Sequence, residues 1–302
     1  MNGYFHSQYA KSLGEFGVPR ELPECGGWIL QRRIPGFCRN DAMGCYPIFA
    51  CQHWSRLGAD LNGISDELVC VSLVTDPFGD YELSQLRDSF GDVAIPFKKH
   101  FVVDLAVPIN SFVSGHHRRY AKKALCEVHV ERLEDPTLAL DDWVTLYDNL
   151  VARHQIRGIP AFSRASFEMQ FKVPGIVVLQ ATIQESIVGM LIWFSHNHIA
   201  YYHLGAYSNR GYELRASFAL FWTAIEYFAS RGLSWLSLGS GAGIKSDYTD
   251  GLSRFKKGWA TGTRETYFCG RIFDKEMYQK IVESSNAQKA KYFPAYRSGE
   301  FA

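Results

Sequence analysis

The stretch that most constrains the fold lies at residues 238–259, where an apolar strand runs into a glycine-rich loop. Residues 235–238 predict a short strand, and Gly239, Gly241 and Gly243 follow it directly. Glycine adopts positive φ angles without steric cost and lets the backbone come close to a ligand or another segment. We therefore expect a sharp turn at a strand end, at the edge where an α/β sheet usually keeps its chemistry.

The segment at residues 251–259 places charged groups next to this loop. Leu252, Phe255 and Trp259 are spaced i, i+3 and i+7, which predicts one buried face of a short helix. The cations beside Phe255 then point away from the core: Arg254, Lys256 and Lys257. A cation at this edge of the sheet indicates a functional site. The alternative is a surface loop with solvated lysines, and the spacing of the residues alone leaves both interpretations open.

Composition limits the class of protein. The chain has 302 residues, 47% of them hydrophobic and 21% charged, so it can bury a sizeable core and is not disordered. Its net charge is +1, so any site for nucleic acid or another anion must be local. The longest apolar run, residues 187–194, is the length of a strand, and we expect no transmembrane segment. The N-terminus lacks a basic-then-apolar signal pattern, which favours a cytoplasmic protein.

The seven cysteines do not form a recognisable metal motif. Cys45, Cys51 and His53 could be imagined as zinc ligands, but the chain has no Cys-x-x-Cys pair. We expect reduced structural cysteines, with Cys269 in the core, and no bound metal.

The first part of the chain predicts alternating strands and helices. Residues 1–26 are rich in glycine and polar residues, and we expect a loop or a loosely packed arm. Strands are predicted at residues 28–31, 46–51, 68–74, 100–107 and 127–132. Helices are predicted at residues 82–90 and from a cap at Asn110 or Ser111 to Leu125.

The second of these helices carries a basic stripe. At 100° per residue, one broad stripe contains Arg118, Arg119, Lys122 and Lys123. Like charges at i and i+4 repel, so keeping this stripe costs the helix a few tenths of a kcal/mol per pair. That cost points to a phosphate-bearing partner. The alternative, an ordinary basic face offset by nearby carboxylates, stays open.

The second part of the chain predicts two helices, an antiparallel meander, a long helix and a final strand and helix. The predicted helices lie at residues 138–154, 163–171, 213–230 and 274–283. The predicted strands lie at residues 175–183, 187–194, 198–207, 235–238 and 263–272. The aromatic tail after residue 283 is expected to dock on the body. Because the order of elements nearly repeats, we expect one domain at residues 1–135, a second at 136–273, and a docked helix and tail at 274–302.

The order of elements in the second half resembles the GNAT fold of N-acetyltransferases. Four motifs resemble the Fem and Fem-like branch, which has two such domains in tandem. They are Trp-Leu-Ser-Leu-Gly-Ser-Gly at residues 235–241, Gly-Leu-x-x-Phe-Lys-Lys-Gly-Trp at 251–259, Arg-Arg-x-x-Lys-Lys-Ala at 118–124 and Tyr-Phe-Pro-Ala-Tyr-Arg at 292–297. The last is similar to the ending of many bacterial Fem-like proteins. The implied fold class is α/β (α+β), with two tandem GNAT-like domains, each a mixed, mainly antiparallel sheet flanked by helices.

The resemblance implies an acyltransferase. Fem enzymes transfer an aminoacyl group from aminoacyl-tRNA to an amine on a peptidoglycan precursor, and simpler relatives use acyl-CoA. The family lysine that matches Lys256 lies beside the reacting centre, where a cation stabilises a developing oxyanion. The amine attacks directly, without a covalent intermediate, and a base removes its proton. We expect no bound cofactor, because acyl-CoA or aminoacyl-tRNA is itself the donor substrate.

The sequence departs from the GNAT pyrophosphate loop. Glu213 stands where the pattern has a glycine after Arg210, and a carboxylate repels a pyrophosphate, which argues against CoA at this place. The chain also lacks the long charged hairpin of some Gram-positive Fem enzymes. His203 and Glu213 are candidates for the base, although a buried structural histidine is the alternative for His203. Asp247 and Asp250 are expected in solvent.

These arguments predict an enzyme that moves an aminoacyl or acyl group onto an amine of a cell-envelope, peptidoglycan or glycan precursor. The expected partners are a small-molecule or nucleotide-linked amine acceptor and tRNA. The predicted catalytic residues are Lys256 and His203. The predicted substrate-binding residues are Glu213, Tyr202, Arg254, Lys257, Arg118, Arg119 and Lys122. Two alternatives stay open: an acyl-CoA-dependent N-acyltransferase acting on an amino sugar, and a non-catalytic module that binds an envelope precursor or tRNA.

Overall fold

A computed structural model describes residues 1–243 and 250–300. Within these ranges the strands are β1 (Val18–Leu22), β2 (Gly27–Arg33), β3 (Asn40–Gly44), β4 (Leu68–Val74), β5 (Val93–Asp104), β6 (His129–Arg132), β7 (Ile176–Ile183), β8 (Ser186–His196), β9 (Ile199–Tyr207), β10 (Trp235–Gly239) and β11 (Gly262–Ile272). The helices are α1 (Ser7–Ser12), α2 (Leu57–Gly63), α3 (Leu83–Phe90), α4 (Ile109–Phe112), α5 (Gly115–Leu125), α6 (Leu140–His154), α7 (Arg164–Gln170), α8 (Asn209–Glu213), α9 (Ala216–Ser230), α10 (Gly251–Lys257) and α11 (Lys275–Ser284).

The chain divides into two compact units. Unit 1 consists of Met1–Gly3 and Lys99–Arg264, and unit 2 consists of Tyr4–Lys98 and Glu265–Ala302. Residues 99–135, which the sequence places in the first domain, thus pack in the same unit as residues 136–264. The predicted boundaries at 1–135, 136–273 and 274–302 are drawn from a repeat in the order of elements, whereas the two units are defined by how compactly the residues pack. The predicted boundaries therefore stay a prediction.

The sheet of unit 1 is mixed and mainly antiparallel, as predicted. Its strand order is β5-β10-β9-β8-β7-β6. Only β10 and β9 run parallel, whereas β10 with β5, β9 with β8, β8 with β7 and β7 with β6 are antiparallel. The predicted meander of β7, β8 and β9 is confirmed.

Different helices cover the two faces of this sheet. Side chains alternate between faces along a strand. Trp193 of β8 packs against Phe221 and Phe228 of α9, whereas the next residue, Phe194, packs against His203. One core therefore lies under α9 and α5, which contributes Ala121 and Ala124. The helices α6 and α7 pack together, with Trp143 of α6 against Phe167 of α7.

Unit 2 also contains a mixed sheet. Its strand order is β1-β2-β3-β4-β11, and only β3 and β4 run parallel. Its core includes Leu57 and Leu61 of α2, Leu86 and Phe90 of α3, and Cys269, which confirms the predicted burial of that thiol. The predicted docking of the tail is confirmed, because Tyr296 and Arg297 both donate hydrogen bonds to the buried carboxylate of Asp41.

Two predictions for the first fifty residues are wrong. The expected loop at residues 1–26 contains α1 and β1, and β1 tolerates Pro19 because it is an edge strand. The expected strand at residues 46–51 is reduced to one bridge between Phe49 and Thr75. Pro47 lacks the N–H that a ladder needs, which accounts for the loss. Among the described residues, no helix has the length and apolarity that crossing a bilayer requires.

Candidate functional site

Lys256 is carried by α10, a seven-residue helix that begins after Asp250. The Asp250 side chain caps the helix, because its Oδ1 accepts from the Ser253 backbone N–H at 2.9 Å. Burial opposes ionisation of Asp250, but hydrogen bonds from Ser253, Ala242 and Leu252 outweigh it and lower the pKa of this carboxyl. Asp250 is half-buried, and its role as a helix cap is not part of the expectation that it lies in solvent. Asp247 lies outside the described residues.

The Lys256 side chain is buried, with only 5% of its surface exposed. Its Nζ donates a hydrogen bond of 2.7 Å to the Ser240 carbonyl and lies 5.4 Å from the centroid of the Tyr202 ring. The predicted buried face is confirmed for Trp259 and in part for Phe255, which packs against the core. It is wrong for Leu252, which is 39% exposed, and Lys256 faces inward rather than away from the core. The cap at Asp250 orients the short helix so that Ser253 and Lys256 share its buried face.

The strands next to Lys256 diverge. The described pairing of β10 with β9 ends at Ser237 and Tyr201. Just beyond this point the ladder of β9 with β8 skips His203, and the ladder of β10 with β5 skips Leu238. Both skips are β-bulges, which bend a strand and increase its twist. The pairing of β9 with β10 thus opens beyond Ser237 and Tyr201, and the Lys256 ammonium lies at this opening, near the Tyr202 ring of β9 and the Ser240 carbonyl that follows β10.

The glycines after β10 let the backbone come close to α10, as predicted from the sequence. Gly239 has a φ of +73°, and a Cβ there would lie 3.1 Å from the Lys256 Nζ. A Cβ on Gly241 would lie 2.2 Å from the Ser253 Oγ, which is closer than real Cβ atoms come. The loop after β10 therefore lies directly on the first turn of α10, and the Ser240 carbonyl reaches Lys256 because of this contact.

His117 joins α5 to the helix that carries Lys256. Its ring is 7% exposed, its Nε2 lies 3.0 Å from the Phe255 carbonyl oxygen, and its Nδ1 lies 2.8 Å from the Ser114 Oγ. Burial lowers the pKa of His117, while the bond to Phe255 acts in the opposite direction. The imidazole is neutral, so Nε2 donates to the carbonyl and Nδ1 accepts from the Ser114 hydroxyl.

The basic stripe of α5 divides into exposed and engaged cations. Arg119, Lys122 and Lys123 are exposed, and the described part of the chain gives them no ion pair. Arg118 instead donates to the carbonyls of Asn110 and Val113 and so closes the end of α4. The stripe is thus narrower than predicted, because one of its guanidinium groups is occupied by backbone.

Tyr202 and His203 are neighbours in β9 but lie in different surroundings. Tyr202 faces Lys256, and burial raises the pKa of its hydroxyl, with a further contribution from Tyr212. His203 is 8% exposed, its Nε2 lies 3.0 Å from the Gln170 Oε1, and burial lowers its pKa to about 3. These contacts favour the structural alternative for His203, and its role as general base stays a prediction.

The remaining predicted residues lie at the surface. Glu213 ends α8 and forms an exposed ion pair of 2.9 Å with Arg210, so part of its charge is offset by Arg210. Arg254 and Lys257 are exposed in the last turn of α10, where cations complement the helix dipole. Their roles in binding substrate stay predictions.

Some residues at the opening were not predicted from the sequence. Asp250 before Gly251 matches a helix N-cap pattern, so that pattern could have revealed its capping role. Ser240 contributes a backbone carbonyl and His117 binds another, and backbone partners leave no pattern in the side chains.

Comparison with known proteins finds one matching family model. Residues 114–257 match the model of an acetyltransferase (GNAT) domain. A search of curated proteins found no match to this sequence. The match confirms the predicted class of enzyme, an acyltransferase, over the part of the chain that contains Lys256.

Three solved structures resemble nearly the whole chain. FemX aligns with a TM-score of 0.66 at 12% identity, covering 91% of this chain and 93% of FemX. The C-terminal domain of a putative lysylphosphatidylglycerol synthetase from Agrobacterium fabrum aligns with a TM-score of 0.64 at 13% identity, covering 94% of this chain and 91% of that domain. L-PGS from Bacillus licheniformis aligns with a TM-score of 0.59 at 13% identity, covering 93% of this chain and 96% of that one. These similarities confirm the Fem-like GNAT fold.

Proposed function

For a chain with a GNAT acetyltransferase domain in a Fem-like fold, we propose transfer of an aminoacyl or acyl group to an amine, with Lys256 as the catalytic cation. The observation that carries this proposal is the position of Lys256, whose buried ammonium lies between Tyr202 and the end of β10 at the opening between two diverging strands. A charge in such a poorly solvated place acts on a nearby oxyanion far more strongly than one in water.

The proposed step is direct attack. The amine nitrogen forms a bond to the carbonyl carbon of the donor, and the carbonyl oxygen gains negative charge beside the Lys256 ammonium. The intermediate then collapses, the bond to the leaving oxygen or sulfur breaks, and the leaving group departs as the tRNA hydroxyl or the CoA thiol. The attacking nitrogen loses its proton to a base, and the leaving oxygen or sulfur takes up a proton, so that the protons balance. The Ser240 carbonyl and the Tyr202 ring keep the ammonium oriented throughout.

Two donors suit this site. The Fem-like fold and the exposed cations Arg119 and Lys122 on α5 favour aminoacyl-tRNA, whose phosphates would bind such a surface. The match to the GNAT model favours acyl-CoA instead. The ion pair between Glu213 and Arg210 weakens the argument against CoA, because Arg210 partly offsets the carboxylate.

The proposed acceptor is an amine on a cell-envelope, peptidoglycan or glycan precursor, either a small molecule or nucleotide-linked. The exposed cations Arg254 and Lys257 would bind its phosphates or carboxylates. An amino sugar acylated from CoA is the second candidate, and it depends on the same lysine.

The first test is replacement of Lys256 by Met, which keeps the length of the side chain and removes its charge. Turnover should fall about 10²- to 10³-fold, the usual cost of removing one oxyanion donor. The matched control is Lys172→Met, an exposed lysine of the same unit paired with Glu168, which should keep full activity. The assay offers acetyl-CoA and aminoacyl-tRNA to a panel of amine-bearing precursors and detects products by mass spectrometry. Unchanged turnover in Lys256→Met would refute the proposed role.

The donor is identified by binding. Saturable calorimetric binding of acetyl-CoA would establish CoA as the donor. Binding of aminoacyl-tRNA that weakens steeply with salt, and weakens less steeply in an Arg119→Gln/Lys122→Gln double variant, would establish tRNA. Binding of a donor without turnover of any acceptor would favour the non-catalytic module.

A further inference from the structure

We propose that His117 is a positioning residue for Lys256, holding α10 so that the ammonium stays at the opening between β9 and β10. This proposal rests on the proposed function for the importance of Lys256, but the contacts that support it are independent of the substrate. All of them lie within unit 1.

The first contact acts on the backbone next to Lys256. The His117 Nε2–H donates to the carbonyl of Phe255, at 3.0 Å, and Phe255 directly precedes Lys256 in the chain. This carbonyl lies in the last turn of α10, where the backbone N–H of the C-cap Gly258 also reaches it at 3.2 Å. His117 therefore adds a second donor, from outside the helix, to the end of α10.

The second contact is steric. A Cβ on Gly258 would lie 2.1 to 2.4 Å from atoms of the His117 ring, so the ring occupies the space beside this glycine. The ring also lies 5.0 Å from the Trp259 ring and 5.0 Å from the Phe218 ring, centroid to centroid. Gly258 in the Phe-Lys-Lys-Gly-Trp motif is thus the residue that admits the imidazole.

The third contact fixes the histidine itself. Ser114, the N-cap of α5, has its hydroxyl 2.8 Å from the His117 Nδ1, and its backbone N–H donates to the Gly258 carbonyl at 3.0 Å. The start of α5 and the end of α10 are therefore bound to each other through both backbone and side chains. Rotation of the ring would break two hydrogen bonds at once.

These contacts matter because α10 is too short to fix its own orientation. Helices of fewer than about 12 residues are marginal alone and depend on tertiary packing. A small rotation of α10 would carry the Lys256 Nζ away from the Ser240 carbonyl, 2.7 Å from it. His117 resists such a rotation without touching the reacting atoms, so it is a positioning residue and not a catalytic one.

Chemical labelling of lysines tests this without the natural substrate. N-acetoxysuccinimide acylates accessible amines, and tandem mass spectrometry reports the rate at each lysine. Lys256 and Lys257 are adjacent in one peptide, one buried and one exposed, so Lys257 is an internal standard. Lys98 is also buried, at 8% exposure, and it reports opening of the fold elsewhere. In the unmodified protein, Lys256 and Lys98 should be acylated slowly and Lys257 rapidly.

Two substitutions of His117 separate its bond to Phe255 from its bond to Ser114. In His117→Gln the amide nitrogen can take the place of Nε2 and donate to Phe255, whereas the shorter side chain of His117→Asn cannot. Acylation of Lys256 should rise about tenfold in His117→Asn, since losing the hydrogen bond that joins α5 to α10 favours local opening by up to that order. It should stay near the rate of the unmodified protein in His117→Gln, and Lys98 should be unchanged in both.

Three results would overturn the proposal. The first is an acylation rate of Lys256 in His117→Asn that equals the rate in the unmodified protein. The second is a rise in the acylation rate of Lys98 that parallels the rise at Lys256. The third is an acylation rate of Lys256 in His117→Gln as high as in His117→Asn. Should His117→Asn not fold, Ser114→Ala removes the other hydrogen-bond partner more mildly and gives the same test. Failure of the proposed function would appear separately, as activity retained in Lys256→Met while this labelling pattern holds.

Discussion

His117 and His203 are both buried histidines, but they form hydrogen bonds with different kinds of acceptor. Both are less than a tenth exposed, burial lowers the pKa of both, and the Nε2 of each lies 3.0 Å from an oxygen. The acceptor of His117 is a backbone carbonyl on the helix that carries Lys256. The acceptor of His203 is the side-chain amide of Gln170 on α7.

The difference shows that burial and hydrogen bonding alone do not identify a functional histidine. Gln170 is fully buried and its amide nitrogen donates a hydrogen bond to Ser166, so His203 belongs to a buried chain of polar side chains on the face of the sheet that carries Phe194. Tyr202, one residue earlier, faces the opening instead. The element that a histidine binds, rather than its burial, decides whether it can influence Lys256.

The largest expected effect concerns acid stability through His203. Its folded pKa of about 3 is far below 6.5, so the folded state stays unprotonated while the unfolded state takes up a proton. The stability that this group provides is complete above pH 6.5 and is lost as pH falls toward 3, by about 1.4 kcal/mol per pH unit. His203→Gln keeps an amide donor toward Gln170 and removes the titration. Between pH 6.5 and 4.5 the variant should gain about 2–3 kcal/mol relative to the unmodified protein.

The measurement is urea unfolding at several pH values, taken as the difference between variant and unmodified protein so that the other titrating groups cancel. His117→Gln should show a difference of the same sign, because burial also lowers the pKa of His117. Parallel pH profiles for His203→Gln and the unmodified protein would show that His203 is not held neutral.

A smaller effect is expected at the glycine beside His117. In Gly258→Ala the new Cβ meets the imidazole at 2.1 Å, and forcing extra volume into such a site costs about 1–3 kcal/mol. Gly115→Ala is the matched control on α5, because its Cβ would meet only the Arg118 guanidinium at 4.0 Å. That control should be neutral or stabilising by up to about 1 kcal/mol. Chemical denaturation measures both, and an undiminished stability of Gly258→Ala would place the His117 ring elsewhere.

Much of the fold around the opening could be predicted from the sequence because its determinants are local. The meander of β7, β8 and β9 follows from alternating side chains and from turn residues, and Gln184, Glu185 and Asn197 indeed adopt positive φ. The long helix predicted at residues 213–230 is interrupted, since Arg215 has a φ of +56° between α8 and α9. No glycine or proline marks that break, so no local pattern reveals it.

The site was only partly predictable, for a related reason. The glycines and the Phe-Lys motif are visible in the sequence, and they predict Lys256 as a site residue. No pattern in the sequence singles out His117, because its acceptor is a backbone carbonyl 138 positions away. A contact between a side chain and a distant backbone atom has no spacing or composition of its own. The same holds for the Ser240 carbonyl that receives Lys256.

The smallest expected effect is a difference between the two histidines in their coupling free energy with Ser114. Ser114→Ala and His117→Ala each remove one side of the hydrogen bond between them, so a double-mutant cycle should give a coupling of about 0.5–1.5 kcal/mol. Part of the cost of Ser114→Ala comes from its role as N-cap, but the cycle subtracts that part. The same cycle between Ser114 and His203 should give a coupling near zero, because α5 and the His203 side chain lie on opposite faces of the sheet. Equal coupling in the two cycles would mean that both histidines act only through general packing, and the distinction between them would fail.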